Sequence, residues 1–219
     1  MSGMFLGSSF AALDLSKFNT MNVTNMGSMF MDCYNLVSLN ISSFDTSNVT
    51  DMGTMFSHCT SLKSLDITSF NTTKVTRMDY MFAKCSSLLM LDLSNFNTVN
   101  VKDMDCMFSG CEKIETICAS DLWNIENLRD GWNMFGGCMS IVGGQGTVYN
   151  ESNVSSRFAH IDGGKDNPGY FTFKSFSGIE RVISADKGVN DAYYSVSGKR
   201  LIIPQRGINI VRGKKIIIK

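Results

Sequence analysis

Charge is scarce in this chain of 219 residues: Lys, Arg, Asp and Glu make up 18% of it, below the ~25% of an ordinary soluble domain. The 20 basic groups cancel the 20 acidic ones, which argues against a general nucleic-acid binder with its basic footprint. No apolar run approaches the ~18 residues of a membrane-spanning helix. Met1-Ser2-Gly3 opens no basic segment followed by an apolar one, so the chain shows no signal peptide. There is no Walker loop, no G-x-G-x-x-G, no G-x-S-x-G and no H-E-x-x-H, and only 2 histidines are available as bases. The enzyme classes those motifs mark are without support, and no cofactor is expected. Only 2 prolines occur, and hydrophobic residues reach 43% with 11% aromatic; that is a core-forming composition, not a disordered one. Polarity comes instead from 27 Ser, 18 Asn and 14 Thr.

What the chain has is a repeat. Leu13, Leu39, Leu65, Leu91 and Ile117 recur every 26 residues, as do Phe18, Phe44, Phe70 and Phe96. Val23, Val49, Val75 and Val101 keep the phase, and so do Met26, Met52, Met78 and Met104. Phe30, Phe56, Phe82 and Phe108 follow, with Cys33, Cys59, Cys85 and Cys111 behind them. One extra residue enters near 119–122, after which Trp123, Leu128, Met134, Phe135 and Cys138 fall 27 on.

Within a copy, Leu39-Asn40-Ile41 alternates inward and outward as a short strand does. Met52, Met55, Phe56 and Cys59 stand at spacings of 3, 4 and 7, the face of a short helix with Thr50 as its N-cap and Asp51 in its first turn. Thr24 and Thr76 hold the same place in their copies, and Ser, Asn and Thr clusters mark the turns between. One copy buries too little apolar surface to offset the ordering of its own backbone, so copies must stack on one another. The expected fold is an α/β repeat: a leucine-rich-repeat-like solenoid of about five coils over residues 1–140, with a parallel sheet on one face and short helices on the other.

Beyond Cys138 the columns end. Residues 141–176 carry Gly143, Gly144, Gly146 and Gly163-Gly164, then Tyr170-Phe171, and read as a capping segment whose aromatics cover the last coil. Residues 177–219 hold four short β-type runs separated by Gly198, Pro204 to Gly207 and Gly213, which predict a small antiparallel β element. Charge divides along these boundaries. Residues 1–143 hold 8 basic and 14 acidic groups, a net of −6, and residues 177–219 hold 9 and 3, a net of +6. The basic tail reads either as a polyanion-binding segment or as Lys and Arg guarding exposed strand edges.

Of the 7 cysteines, five lie in one core column, where reduced buried thiols are expected. The odd total and the absence of C-x-x-C argue against a disulfide framework or a zinc site, while the ~5 Å between stacked copies would also admit pairing. Cys106 falls in a predicted solvent-facing column after Ser28, Thr54 and Tyr80. Cys118 follows Asp14, Asn40, Asp66 and Asp92 in the outward strand column, and a Cys118–His160 dyad would require the cap to fold back over the sheet. His58 shares a variable column with Asp32, Lys84 and Gly110. The carboxylates of the outward column read as partners for Ser42, Thr68 and Ser94, or as Ca²⁺ ligands; hydrogen bonding is the preferred account and no metal site is assigned. Binding positions should vary between coils, which singles out Ser38, Ser64, Met90 and Thr116, together with Asn40, Asp66, Asp92 and Cys118 beside them. Asn22-Val23-Thr24 and Asn48-Val49-Thr50 fit a glycosylation sequon but read better as turn residues.

Coils such as Leu65-Asp66-Ile67-Thr68-Ser69-Phe70-Asn71-Thr72, followed by Val75-Thr76-Arg77-Met78 and Met81-Phe82, resemble the 26-residue repeat of bacterial surface proteins, a family that includes BspA-like leucine-rich-repeat proteins and Listeria-type lipoproteins. The segment from Val142-Gly143-Gly144 to Asn167-Pro168-Gly169-Tyr170-Phe171-Thr172 resembles the one that closes such arrays. The tail, with Ser197-Gly198-Lys199-Arg200 and Gly207-Ile208-Asn209-Ile210-Val211, resembles secretion-sorting segments of Bacteroidetes proteins. The resemblance implies a non-enzymatic protein, secreted or at the cell surface, that binds or adheres to protein or glycan partners. A passive spacer displaying another domain is the alternative, and a thiol-dependent enzyme a more distant one. The first copy is shorter than the rest, which reads as a fragment whose N-terminal part lies elsewhere.

Overall fold

A computed structural model describes residues 1–129 and 131–175 in full, and beyond them the backbone of four short strands. The chain divides into two compact units, Met1–Lys174 and Ser175–Lys219.

In the first unit the copies lie one above another in the register of the repeat. Strand β1 (Ala12–Asp14) pairs in parallel with β2 (Ser38–Asn40), placing Leu13 on Leu39. Strands β3 (Met90–Asp92), β4 (Thr116–Ala119) and β5 (Phe171–Phe173) form a second parallel sheet, with Leu91 beside Ile117 and Ile117 beside Phe171. Ser64–Asp66, the same segment of the copy between them, belongs to no strand.

These observations correct the expected α/β solenoid. No α-helix occurs among the described residues; two single 3-10 turns, Ser156–Phe158 and Gly164–Asp166, are the nearest approach. Among the described residues the parallel strands form two small separate sheets, supplemented by isolated parallel bridges, no closed solenoid forms, and most of the unit is turn and irregular backbone.

The segments expected to be helices are pairs of tight turns. Met29 N–H donates to the Met26 carbonyl at 3.2 Å, and Cys33 N–H to the Phe30 carbonyl at 3.3 Å. The third residue of each turn is left-handed, with φ of 56° at Ser28 and 61° at Asp32. Thr54, His58, Tyr80 and Lys84 repeat that conformation at φ between 55° and 62°. Two consecutive turns of this kind set inward residues 3, 4 and 7 apart, the spacing of a helix face, so apolar periodicity alone cannot separate the two. Helical N–H groups would have to point along their own segment. Here the N–H groups of Met26, Ser28, Phe30 and Asp32 donate to the carbonyls of Asp51, Gly53, Met55 and Ser57 in the next rung, at 2.9–3.0 Å. Thr50 therefore caps nothing: its Oγ1 donates to the Thr24 carbonyl at 3.2 Å, and Asp51 Oδ1 accepts from Gly53 N–H at 2.9 Å.

The interior is a set of stacked columns. Rings of Phe5, Phe30, Phe56, Phe82, Phe108 and Phe135 stack one on another at centroid separations of 5.5–5.8 Å, with neighbouring planes within 19° of parallel. Buried threonines tie the rungs at another corner. Thr46 Oγ1 donates to the Asn71 carbonyl at 3.0 Å and accepts from Asn71 N–H at 2.7 Å, and Thr20, Thr72 and Thr98 donate likewise to Asp45, Asn97 and Asn124. The chain leaves the rung path at Gly143, where a Cβ would lie 2.2 Å from the Gly169 carbonyl oxygen. Strand β5 returns to lie beside β4, and Tyr170 and Phe171 set their rings edge-on against Phe135 at 5.0 and 5.9 Å. Asp162 fastens this closure. Its buried carboxylate accepts the N–H groups of Gln145, Thr147 and Gly164 and the Thr147 hydroxyl at 2.7–3.0 Å, which holds it far below the usual carboxylate range despite its burial.

In the second unit, β6 (Tyr193–Tyr194), β7 (Arg200–Leu201), β8 (Gly207–Val211) and β9 (Lys214–Ile218) pair antiparallel in the order β7-β6-β8-β9. The separators Gly198, Pro204 to Arg206 and Gly213, and the start of the tail at 177, lie outside the described residues.

Candidate functional site

Positions that recur in every rung are occupied by structure. The five column cysteines are free and buried. Each thiol donates to the Phe carbonyl of the preceding rung: Cys33 to Phe5, Cys59 to Phe30, Cys85 to Phe56, Cys111 to Phe82 and Cys138 to Phe108, at 3.0–3.2 Å. Burial pushes the Cys85 and Cys138 thiols up to about 12, so neither is a thiolate at neutral pH. Cys106 is buried rather than facing solvent.

The outward strand column is distributed over the two sheets and the gap between them. Ser38, Asn40, Ser64, Asp66 and Met90 are exposed, and Asp92, Thr116 and Cys118 are half-buried. Asn40, Asp66 and Asp92 each turn a carbonyl or carboxylate oxygen back on the backbone N–H two residues on, at Ser42, Thr68 and Ser94 (3.0–3.2 Å); Asp14 does the same with Ser16. Thr68 also gives its hydroxyl to Asp66, at 2.7 Å. Met90 lies beside Thr116, and Asp92 beside Cys118. Asp92 is ion-paired with Lys174 from the closing segment. Burial, with the Asp92 charge behind it, raises the Cys118 thiol, and among the described residues no hydrogen bond joins Cys118 to His160. Among those residues no cluster of His, Cys, Asp and Glu could hold a metal ion.

His58 has neighbours the sequence did not reveal. Its Nδ1 lies 3.0 Å from Ser57 Oγ and 3.6 Å from Asp32 Oδ1, and the Tyr34 hydroxyl donates to that same Asp32 oxygen at 2.9 Å. A nucleophile–base–acid relay needs hydroxyl and carboxylate on opposite ring nitrogens. Both address Nδ1 here, so the group is not a catalytic triad. Asn48, in the sequon, donates its amide to the Met21 carbonyl at 2.8 Å.

A second feature lies where a repeat column changes character. Thr24, Thr50 and Thr76 are linked by backbone and hydroxyl bonds, and the next two members are Lys102, whose N–H donates to Thr76, and Arg129, whose N–H donates to Lys102. The neighbouring column runs Asn25, Asp51, Arg77, Asp103 as a parallel ladder. Thr76, Arg77, Lys102, Asp103, Asp105 and Arg129 line an open groove of about 410 Å³. Arg77 is held at one edge by Asp79 (3.0 Å) and Asp51 (3.4 Å). Among the described residues Lys102 and Arg129 have no ion-pair partner. Sequence reasoning passed over this groove, although the break from Thr to Lys and Arg was visible in the column.

The sequence model of a family described as "Mycoplasma protein of unknown function, DUF285" matches residues 1–116 and, overlapping, 61–165. No curated protein and no solved structure matches the chain. No helix among the described residues is long and apolar enough to cross a membrane.

Proposed function

We propose, for a chain that belongs to the DUF285 family of Mycoplasma proteins of unknown function, that it is a non-enzymatic binding and adhesion scaffold, secreted or displayed at the cell surface, with protein or glycan partners. One observation carries this reading. Side chains repeated in every rung are consumed by the interior or by hydrogen bonds to backbone, as the Phe, Cys and Thr columns are. Those that change from rung to rung, such as Ser38, Ser64 and Met90, or Asp51, Arg77 and Asp103, stand at or near the surface. A frame that fixes its constant residues and presents its variable ones at the spacing of stacked strands is suited to recognition without further ordering on binding. The test is surface-immobilised full-length chain offered a glycan array and a panel of extracellular matrix proteins. Saturable capture of at least one member is expected, and no capture of any would overturn the reading.

A further inference from the structure

Resting on that reading, we propose that the groove between Arg77 and Arg129 is a saccharide subsite for a sugar carrying a carboxylate, with Trp132 as its stacking platform. Three observations converge. Arg77, Lys102 and Arg129 come from three successive rungs and line one groove with Asp103 and Asp105. Arg77 is already engaged by Asp51 and Asp79, whereas Lys102 and Arg129 have no ion-pair partner among the described residues. The backbone N–H of Trp132, in the same rung as Arg129, donates to Asp105 Oδ1 at 2.9 Å, which sets Trp132 beside the groove wall, and its side chain is 62% exposed.

Each part answers to one part of such a ligand. An exposed indole offers a flat apolar face to the C–H face of a pyranose. Carboxylates are pure acceptors, so Asp103 in the groove lining suits a donating hydroxyl. The Arg129 guanidinium fork and the Lys102 ammonium suit a carboxylate on the same sugar. An acidic peptide would use the two cations but would leave the indole without a flat partner.

The experiment is titration calorimetry of the full chain with trigalacturonate and with sialyllactose, using maltotriose and pentaglutamate as controls. At least one acidic saccharide binds, maltotriose and pentaglutamate do not, and Trp132→Ala, Lys102→Ala and Arg129→Ala each weaken binding by roughly tenfold or more. Thermal melts of the variants must match the parent, as exposed side chains allow. Two results overturn the subsite while leaving the scaffold reading intact: acidic saccharide binding undiminished in all three variants, or pentaglutamate binding unaffected by Trp132→Ala. Failure of both acidic saccharides to bind also overturns it, and the glycan and matrix-protein panel then decides separately whether the scaffold reading survives.

Discussion

Cys59 Sγ donates to the carbonyl of Phe30, 29 residues back and one rung away, at 3.2 Å. The same bond at Cys85, Cys111 and Cys138 places a line of protonated thiols inside the stack. Burial raises all of them, Cys85 and Cys138 from 9.0 to about 12, and the folded state therefore holds these protons more tightly than the unfolded one.

Their contribution is fully present below pH 9.0 and is lost as pH rises towards 12. Urea midpoints measured from pH 7 upwards will hold level and then fall steadily above about pH 9. In Cys85→Ala the alkaline fall is shallower, on a stability already lowered by about 1–2 kcal/mol for the lost bond and small cavity. An unchanged alkaline slope would show that the thiols do not titrate with unfolding.

Asp162→Asn retains one acceptor oxygen but turns an amide N–H₂ towards donors that the second carboxylate oxygen now satisfies, Gln145 N–H and Thr147 N–H. A loss of about 2–3 kcal/mol is expected in equilibrium unfolding. Because the folded carboxyl is held down, its contribution is present above the unfolded value near 3.8 and disappears as pH falls below it. The variant will accordingly lose less stability than the parent on acidification, as calorimetry at successive pH values will show.

Gly143→Ala tests the turn that takes the chain off the rung path. Its Cβ would meet a backbone oxygen at 2.2 Å and Asp162 Oδ2 at 2.5 Å, and neither can swing aside without breaking the closure. Gly7→Ala has open space around it and only a positive φ of 66° to contend with, a penalty of about 1 kcal/mol. Thermal melts will show Gly143→Ala as much the more damaging of the two.

Phe82→Ala opens a hole in the middle of the ring column, between Phe56 and Phe108, and should cost about 3–5 kcal/mol in urea unfolding. Phe5 is half-buried at the first rung and stacks on Phe30, so Phe5→Ala will cost markedly less. Equal losses would show that the column is not a continuous interior.

How much of this was legible in the sequence differs from column to column. Phe30, Phe56 and Phe82, or Cys59 and Cys85, announced themselves because a stacked repeat forces identical neighbours onto identical positions. The conformation between them did not. Met52, Met55, Phe56 and Cys59 satisfy a helix face and a pair of tight turns equally well, and hydrophobic spacing carries no information on which is present. A discriminating signal did exist: Gly3, Gly7, Gly110 and Gly137 occupy the two columns that prove left-handed, at φ 64–76°, and two glycines four apart, as Gly3 and Gly7 are, disfavour a helix. The place of β5 was illegible for another reason. Phe171 sits beside Ile117 across 54 residues, beyond Cys138 where the repeat columns end, so only tertiary structure reveals it. The groove was readable as the replacement of threonine by Lys102 and Arg129, but nothing in the sequence set Trp132 next to Asp105.

Successive rungs are bonded in one repeating pattern, the amide hydrogens of Met26, Met52 and Met78 to carbonyls of the following copy and those of Thr50, Thr76 and Lys102 to carbonyls of the preceding one, with the closing strand beside the last repeat strand. Each 26-residue unit is thus an interchangeable brick. Duplicating or deleting a stretch such as 52–77 in the gene would lengthen or shorten the tower by one storey, while its roof and the decorated upper floors travel unchanged. Size in this lineage can therefore vary by recombination without any new folding problem having to be solved.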